Sequence, residues 1–244
     1  MCGRFSLFAA GEAIAERFSL PTVPAVAPRW NVAPAQMVAA VGTKADGSGR
    51  GFTLFRWGLV PHWSHDLSGP KPINAMAETV ASKPMFRDAF RKRRCLIIAD
   101  GFYEWRAAPG GKEPVHFRLK DGSVFGLAGI WDPWEGPDGA IVSCAILTTT
   151  PNALMAPVHN RMPVIVPPSA YDQWLDPTLS DPARLEPLLR PYPAVEMAAK
   201  PASRKMNDAR FEGPQALVPD ERPTRLARKP VRPARRTPPG RGPR

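Results

Sequence analysis

The sequence predicts an α+β fold in which short helices surround a mostly antiparallel sheet. Three observations carry this. Apolar runs of strand length outnumber helix-like periodic stretches, the links between runs have hairpin rather than βαβ spacing, and no segment repeats. At 244 residues the chain is long enough to bury a full core.

Taken in order, residues 2–8 read as a strand and GEAIAERF (11–18) as a short amphipathic helix. A Pro-rich loop leads to Arg29-Trp30-Asn31-Val32-Ala33-Pro34. MVAAVG (37–42) and GFTLFRWGLV (51–60) are strands joined by a Gly/Asp-rich turn. INAMAET (73–79) is mixed in character. A helix is expected from an N-cap at Ser82 to about Arg93, with Pro84 in its first turn and the RKRR run at its C-terminal end. CLIIADGFYEW (95–105) reads as one continuous strand ending in Glu104. HFRLK and SVFGLAGIW flank Asp121-Gly122, a hairpin signal. AIVSCAILTTT (140–150) and PVIV are strands, followed by short helices at SAYDQWL and at PARLEPLL, the second capped by Asp181. VEMAAK closes the sheet, and the folded domain, 1–218, is expected to end near Val218.

Charge divides the chain in two. Residues 219–244 hold eight Arg and Lys229 against Asp220 and Glu221, a net +7 of the chain's +11, so the body carries only +4. A Pro/Arg tail of this composition reads as a disordered, solvated arm attracted to a polyanion such as nucleic acid. Three cysteines without a CxxC pair or a preceding signal peptide point to a reducing, cytoplasmic compartment and to no zinc site. Cys95 and Cys144 lie in apolar runs and read as inert core thiols. No cofactor pattern is present, and no apolar run reaches the length of a membrane span.

The amino terminus, Met1-Cys2-Gly3-Arg4-Phe5, is chemically the most distinctive stretch. Removal of Met1 leaves Cys2 with an α-amine and a thiol on adjacent carbons, both partly nucleophilic near neutral pH. With an aldehyde, the amine forms an imine and the thiol closes on the same carbon, giving a five-membered thiazolidine. The plainer reading is that Cys2 is a small buried residue on a first strand. Glu104, between Tyr103 and Trp105, is a carboxylate suited to general acid/base work if desolvated, or else a salt-bridged strand-end residue. His159 is a titrating imidazole close to Arg161, or a loop histidine. Asn74 is able to present an amide to a sugar hydroxyl or to satisfy a turn. Trp63 is a surface for base stacking or an edge of the core.

Taken together, MCGRF, WNVAP, WGLVPHW, INAMAET, ADGFYEW, HNRMP and KMNDARFEGPQALV, in that order over roughly residues 2–218, closely resemble the SOS response-associated peptidase (SRAP) family. The resemblance implies a single domain with a bifurcated or barrel-like antiparallel core. It also implies an activity: sensing abasic sites in single-stranded DNA and capturing them as a covalent crosslink. Cys2 is then the nucleophile, exposed once Met1 is removed, with Asn74, Glu104 and His159 as its catalytic partners. DNA contacts are implied at Arg4, Pro34, Trp63, Trp105 and Arg161. The family name reflects a proposed peptidase activity, which removal of Met1 alone would satisfy. The chain is expected to act as a cytoplasmic monomer without a cofactor, nucleoid-associated when bound to damaged DNA. Two departures stand out: Met76 replaces the arginine of the family's INAR block, and Ser64 follows Trp63 where some members carry a second tryptophan.

Two other functions fit parts of this sequence. Class II glutaminase domains also begin Met-Cys-Gly, but the INAMAET and ADGFYEW blocks have no place in them. A non-covalent single-strand-binding protein would rely on the basic tail and form no denaturant-resistant adduct.

Overall fold

The computed structural model describes residues 2–44, 46–108, 111–137 and 139–220. The strands are β1 (Phe5–Leu7), β2 (Arg29–Val32), β3 (Met37–Thr43), β4 (Arg50–Trp57), β5 (Asn74–Met76), β6 (Arg94–Ala99), β7 (Gly101–Ala108), β8 (Gly111–Leu119), β9 (Phe125–Gly136), β10 (Gly139–Thr149), β11 (Met162–Pro163), β12 (Ile165–Val166) and β13 (Met197–Pro201). Four short helices accompany them: α1 (Gly11–Phe18), α2 (Arg87–Lys92), α3 (Tyr171–Leu175) and α4 (Pro182–Leu185). Together they form one α+β domain.

The strands divide into two sheets. β4, β3, β6, β9 and β10 pair in that order, and β10 returns to pair with β4, which closes a five-stranded barrel. The closing β10–β4 pair is parallel and the other four are antiparallel, so the barrel is mixed. β5 runs parallel along β10. The second sheet, in the order β13-β8-β7-β1-β2, is antiparallel throughout.

Alternation within β6 explains how both faces of the barrel wall are filled. Leu96 and Ile98 pack into the core beneath the helices, whereas Cys95, Ile97 and Ala99 join Phe5, Trp57, Phe102 and Phe117 in a second core. A strand buried on both faces must be apolar at nearly every position, and RCLIIA is. β9 can approach it only because Gly129 lacks a side chain: a Cβ there would lie 2.7 Å from the Cys95 sulfur. The thiols of Cys95 and Cys144 are both buried, and desolvation pushes them up, as expected of inert core cysteines.

Several local readings of the sequence are corrected. CLIIADGFYEW is two strands in two sheets, broken at Asp100. The buried Asp100 carboxylate accepts the Phe8 and Ala9 N–H groups (2.5 and 3.0 Å) and the Ser6 hydroxyl (2.7 Å), so the chain turns around it. Gly101 then allows the His116 ring to lie against the backbone, where a Cβ would come within 2.0 Å of Nε2. Asp121-Gly122 does form a turn, but the strands on either side do not pair. β8 lies between β7 and β13, and β9 lies among β6, β10 and β12. The helix expected from Ser82 starts only at Arg87; the Ser82 hydroxyl bonds back to the Thr79 carbonyl instead of capping. Asp181 does cap α4, accepting the Ala183 N–H at 3.0 Å.

The chain beyond β13 folds over the outer face of β7. Tyr103, Ala202, Met206 and Ala216 form a third small core with Trp30, Trp105 and Phe211 against it. Asp220, the last described residue, accepts the Ser203 hydroxyl and the Arg204 N–H on its carboxylate, both at 2.8 Å. The basic tail from residue 221 onward lies outside the described residues. Among the described residues, no helix is long and apolar enough to cross a membrane.

Candidate functional site

The break at Asp100 is what builds the site, because it sends Glu104 into the second sheet beside the amino terminus. β1 lies between β2 and β7, with Phe5 opposite both Val32 and Phe102. The antiparallel run continues upstream, the Arg4 carbonyl accepting the Tyr103 N–H at 2.9 Å. Continued one step further, that register sets Gly3 opposite Glu104 and leaves Cys2 next to this carboxylate, whose charge it feels.

Cys2 is fully buried in this chain, with its sulfur 4.0 Å from the Arg4 carbonyl oxygen. Of the plain reading, burial holds for the unprocessed chain, whose Cys2 nitrogen is a peptide nitrogen, but Cys2 precedes β1 rather than lying on it. Burial, reinforced by the negative charge of Glu104, pushes the thiol well above its ordinary range. Glu104 is the last inward residue of β7 after Phe102 and is 4% exposed. Desolvation raises its carboxyl to about 7, while the Trp105 N–H and Lys112 oppose the shift. A carboxyl that titrates near neutrality is able both to take a proton and to return it.

Asn74, at the start of β5, reaches Cys2 directly. Its amide donates to the Cys2 and Ile73 carbonyls, each at 2.9 Å. Its buried Oδ1 has no hydrogen-bond partner among the described residues, which leaves one acceptor in place beside Cys2. His159 approaches from the loop after β10. Asn152 shapes that loop by accepting the Leu154 and Met155 N–H groups (3.1 and 2.9 Å) and donating to the Tyr192 carbonyl (2.7 Å). His159 Nδ1 lies 3.0 Å from the Arg161 N–H and 3.3 Å from the Arg161 carbonyl oxygen, so the backbone of Arg161 holds this edge of the ring. Desolvation lowers the His159 pKa, favouring the neutral ring.

Arg4, Glu104, Trp105, Lys112, His159 and Asn207 line one open cleft of about 510 Å³. Arg4 is held in place. One guanidinium nitrogen donates to Asn31 Oδ1 (2.6 Å) and the Met206 carbonyl (3.0 Å), and the group lies over the Trp105 ring at 5.5 Å. The Trp105 indole is fixed in turn by Asn207 Oδ1 at 2.7 Å. Arg161 donates to both carboxylate oxygens of Glu78 and to the Thr148 carbonyl.

The structure thus gathers Arg4, Glu104, Trp105 and His159 around one cleft, with Asn74 bound to Cys2 beside it. It does not bring every implied DNA contact there. Trp63 is half exposed and lines a separate hollow with Lys71 and Met85, and Pro34 is exposed outside the cleft. Asn31, Glu78, Lys112 and Asn207 were missed as site residues. Asn31 lies inside WNVAP and is almost fully buried. Its amide donates to the Asp208 and Phe211 carbonyls (3.1 and 2.6 Å), tying the C-terminal segment to Arg4. A buried asparagine in a conspicuous block was the available signal; Lys112 had none.

Comparison with known proteins gives the chain its relatives. The family described as SOS response associated peptidase (SRAP) matches residues 1–209. Abasic site processing protein YoqW of Bacillus subtilis is 40% identical over 223 residues, covering 89% of this chain and 99% of that protein. Abasic site processing protein HMCES of Gallus gallus is 32% identical over 203 residues, 72% of this chain but 60% of that longer protein. A crystal structure of a Bacteroides thetaiotaomicron protein superposes with a TM-score of 0.77 at 25% identity, covering 90% of this chain and all of that one. With a family match along most of its length and a relative at this identity, the chain belongs to the SRAP family.

Proposed function

We propose that this protein processes abasic sites in single-stranded DNA, capturing the ring-opened sugar as a thiazolidine on Cys2 after Met1 is removed. The observation that carries the proposal is that Asn74 bonds the Cys2 carbonyl and the Glu104 charge acts on its thiol, while Glu104 and His159 line one cleft. The names of YoqW and HMCES support the substrate.

The chemistry follows from the geometry. His159, through its imidazole, and Asn74, with an open Oδ1, assist opening of the hemiacetal to the C1′ aldehyde. The Cys2 amine adds to that aldehyde, and protonated Glu104 donates to the departing hydroxyl, so water leaves and an imine remains. A buried neutral thiol is a poor nucleophile until deprotonated. The Glu104 carboxylate now takes the thiol proton and sulfur adds to the carbon of the imine, which left the previous step protonated, so the nitrogen keeps its hydrogen as the neutral ring closes. Aldehyde and aminothiol thereby become thiazolidine and water. Sulfur occupies the carbon from which an imine would drive strand-breaking β-elimination, so the lesion is shielded.

Arg4 and Trp105 in the cleft, with Arg161, Pro34 and Trp63 outside its lining, are the proposed DNA contacts by charge and by stacking, Arg161 once a phosphate displaces Glu78. Incubation with abasic single-stranded DNA should give a denaturant-resistant adduct. Glutaminase turnover with no adduct would support the amidotransferase alternative, and salt-sensitive binding without an adduct would support simple strand binding. The proposal leaves room for peptidase chemistry only at Met1.

A further inference from the structure

The three basic residues around the candidate site are not equivalent. Arg4 is committed to Asn31, Met206 and the face of Trp105. Arg161 is neutralised by Glu78. Lys112, which lines the same cleft, makes no hydrogen bond or ion pair among the described residues. Its sequence neighbour Glu113 does not hold it, because that carboxylate is taken by Arg106 at 3.2 Å and Arg204 at 2.9 Å. Lys112 is a cation in the cleft with no direct ion pair among the described residues, and Glu104 acts on it only through its charge.

Its place in the sheet gives that charge a direction. β7 and β8 pair Glu104 with Val115, Trp105 with Pro114 and Ala107 with Lys112. Paired residues share a face, and faces alternate along each strand. Lys112 therefore shares the face of Trp105, two positions further along, while Glu104 belongs to the opposite, inward face. The cleft is where the two faces meet at the rim. Both Glu104 and His159 feel the Lys112 charge, which agrees with an ammonium turned toward the reacting centre. A nucleotide stacked on Trp105 with its sugar carbon at Cys2 must carry its backbone across this rim.

We infer that Lys112 binds a backbone phosphate flanking the abasic sugar, and so positions the aldehyde between Trp105 and Cys2. The inference rests on the abasic-site reading and adds the residue that seats the strand. A lysine on a phosphate acts as a point charge, so its contribution is salt-dependent and independent of base sequence. Capture itself, which runs through the Cys2 nitrogen and sulfur, does not need the Lys112 nitrogen.

The test uses the full chain with Met1 removed. Binding is measured from low to high salt on single-stranded DNA carrying a tetrahydrofuran site, which lacks the aldehyde, and capture on the natural abasic site. Lys112→Gln should weaken binding several-fold at low salt and lower the slope of log K against log salt by about 0.7, the value of one single-strand phosphate contact. It should reach the parent's adduct yield only at several-fold higher DNA. Lys112→Arg should restore both slope and affinity. An unchanged slope and affinity in Lys112→Gln, with normal capture by the parent, overturns the assignment while sparing the abasic-site reading. Lack of any adduct in the parent overturns that reading and the inference with it. An adduct that borohydride traps in Cys2→Ala but not in Cys2→Ala/Lys112→Gln would show Lys112 to be an amine nucleophile, which also overturns the phosphate assignment.

Discussion

Arg161 and Glu78 form a bidentate pair, two parallel N–H···O bonds of 2.6 and 2.9 Å, and the same guanidinium donates to the Thr148 carbonyl on β10. The pair ties the His159 loop to the INAMAET segment, so the histidine and Asn74 are held in one frame. It also cancels the charge that Arg161 would offer to DNA. Arg161 keeps the Glu78 carboxyl below its usual range, and the glutamate side chain is 45% exposed, so the pair's own stability contribution is small.

Glu78→Gln should therefore split affinity from rate. Removing the carboxylate frees the Arg161 charge and is expected to tighten binding to single-stranded DNA by a few-fold. Loosening the His159 loop is expected to slow capture at saturating DNA. Equilibrium binding and single-turnover crosslinking separate the two. A variant that binds more weakly and captures at the parental rate would show that the pair does neither job.

Burial raises the Glu104 carboxyl from its ordinary 4.5 to about 7. The sign of the pH dependence follows. Below pH 4.5 the side chain is protonated in both folded and unfolded chains, and no difference arises. Between 4.5 and 7 the folded protein holds a proton that the unfolded chain has released, so the stability due to protonation declines as pH rises and is lost above 7. Glu104→Gln avoids this loss and should be more stable than the parent at pH 8.5 by on the order of 2 kcal/mol, with little difference at pH 4. It should nevertheless capture DNA more slowly at every pH. Denaturant unfolding at the two pH values gives the comparison, and an equal difference at both would refute the burial argument.

Asp100 shows where local sequence reasoning fails. The apolar run CLIIA and the aromatic run GFYEW each read correctly as strand, but nothing local says that they belong to different sheets. What decides it is nonlocal: Ser6, Phe8 and Ala9 bring their hydroxyl and N–H groups to the Asp100 carboxylate. Asp121-Gly122 makes the same point from the other side. The turn forms, with the Ser123 N–H on Asp121 Oδ1 at 2.9 Å, yet β8 and β9 find other partners. By contrast GEAIAERF is a helix over its full length, because the buried Ile14 and Phe18 lie four residues apart on one face. Residue chemistry made Cys2, Asn74, Glu104 and His159 candidates, each beside a plainer reading, and only the family resemblance grouped them into one site. Lys112 was not, since only strand pairing reveals that an otherwise ordinary lysine faces the cleft.

Gly101→Ala tests the break itself. Its Cβ would meet His116 Nε2 at 2.0 Å and the Phe117 carbonyl oxygen at 2.9 Å, neither of which moves easily in a buried sheet. Overpacking of this kind costs roughly 1–3 kcal/mol. A lowered midpoint in chemical unfolding, together with slower capture as Glu104 shifts, is the expected result. Unchanged stability would mean that His116 has room to rotate away.

Met76 stands 41% exposed on β5, two residues beyond Asn74. Met76→Arg should tighten binding to abasic single strands by about 1 kcal/mol, as one added guanidinium–phosphate contact would. The added charge should also steepen the salt dependence; binding that is unchanged or weaker would place the strand elsewhere.

The central claim is that the freed Cys2 nitrogen and sulfur act together, and the intact mass of the protein after incubation with abasic single-stranded DNA tests it most directly. Two forms are compared, one with Met1 removed and one retaining it through an N-terminal extension. The processed form should gain the mass of the DNA less one water and keep it through denaturation. The extended form has an amide in place of the amine and should gain nothing lasting, although its thiol is intact. Equal yield and equal durability of the adduct in both forms would contradict the account.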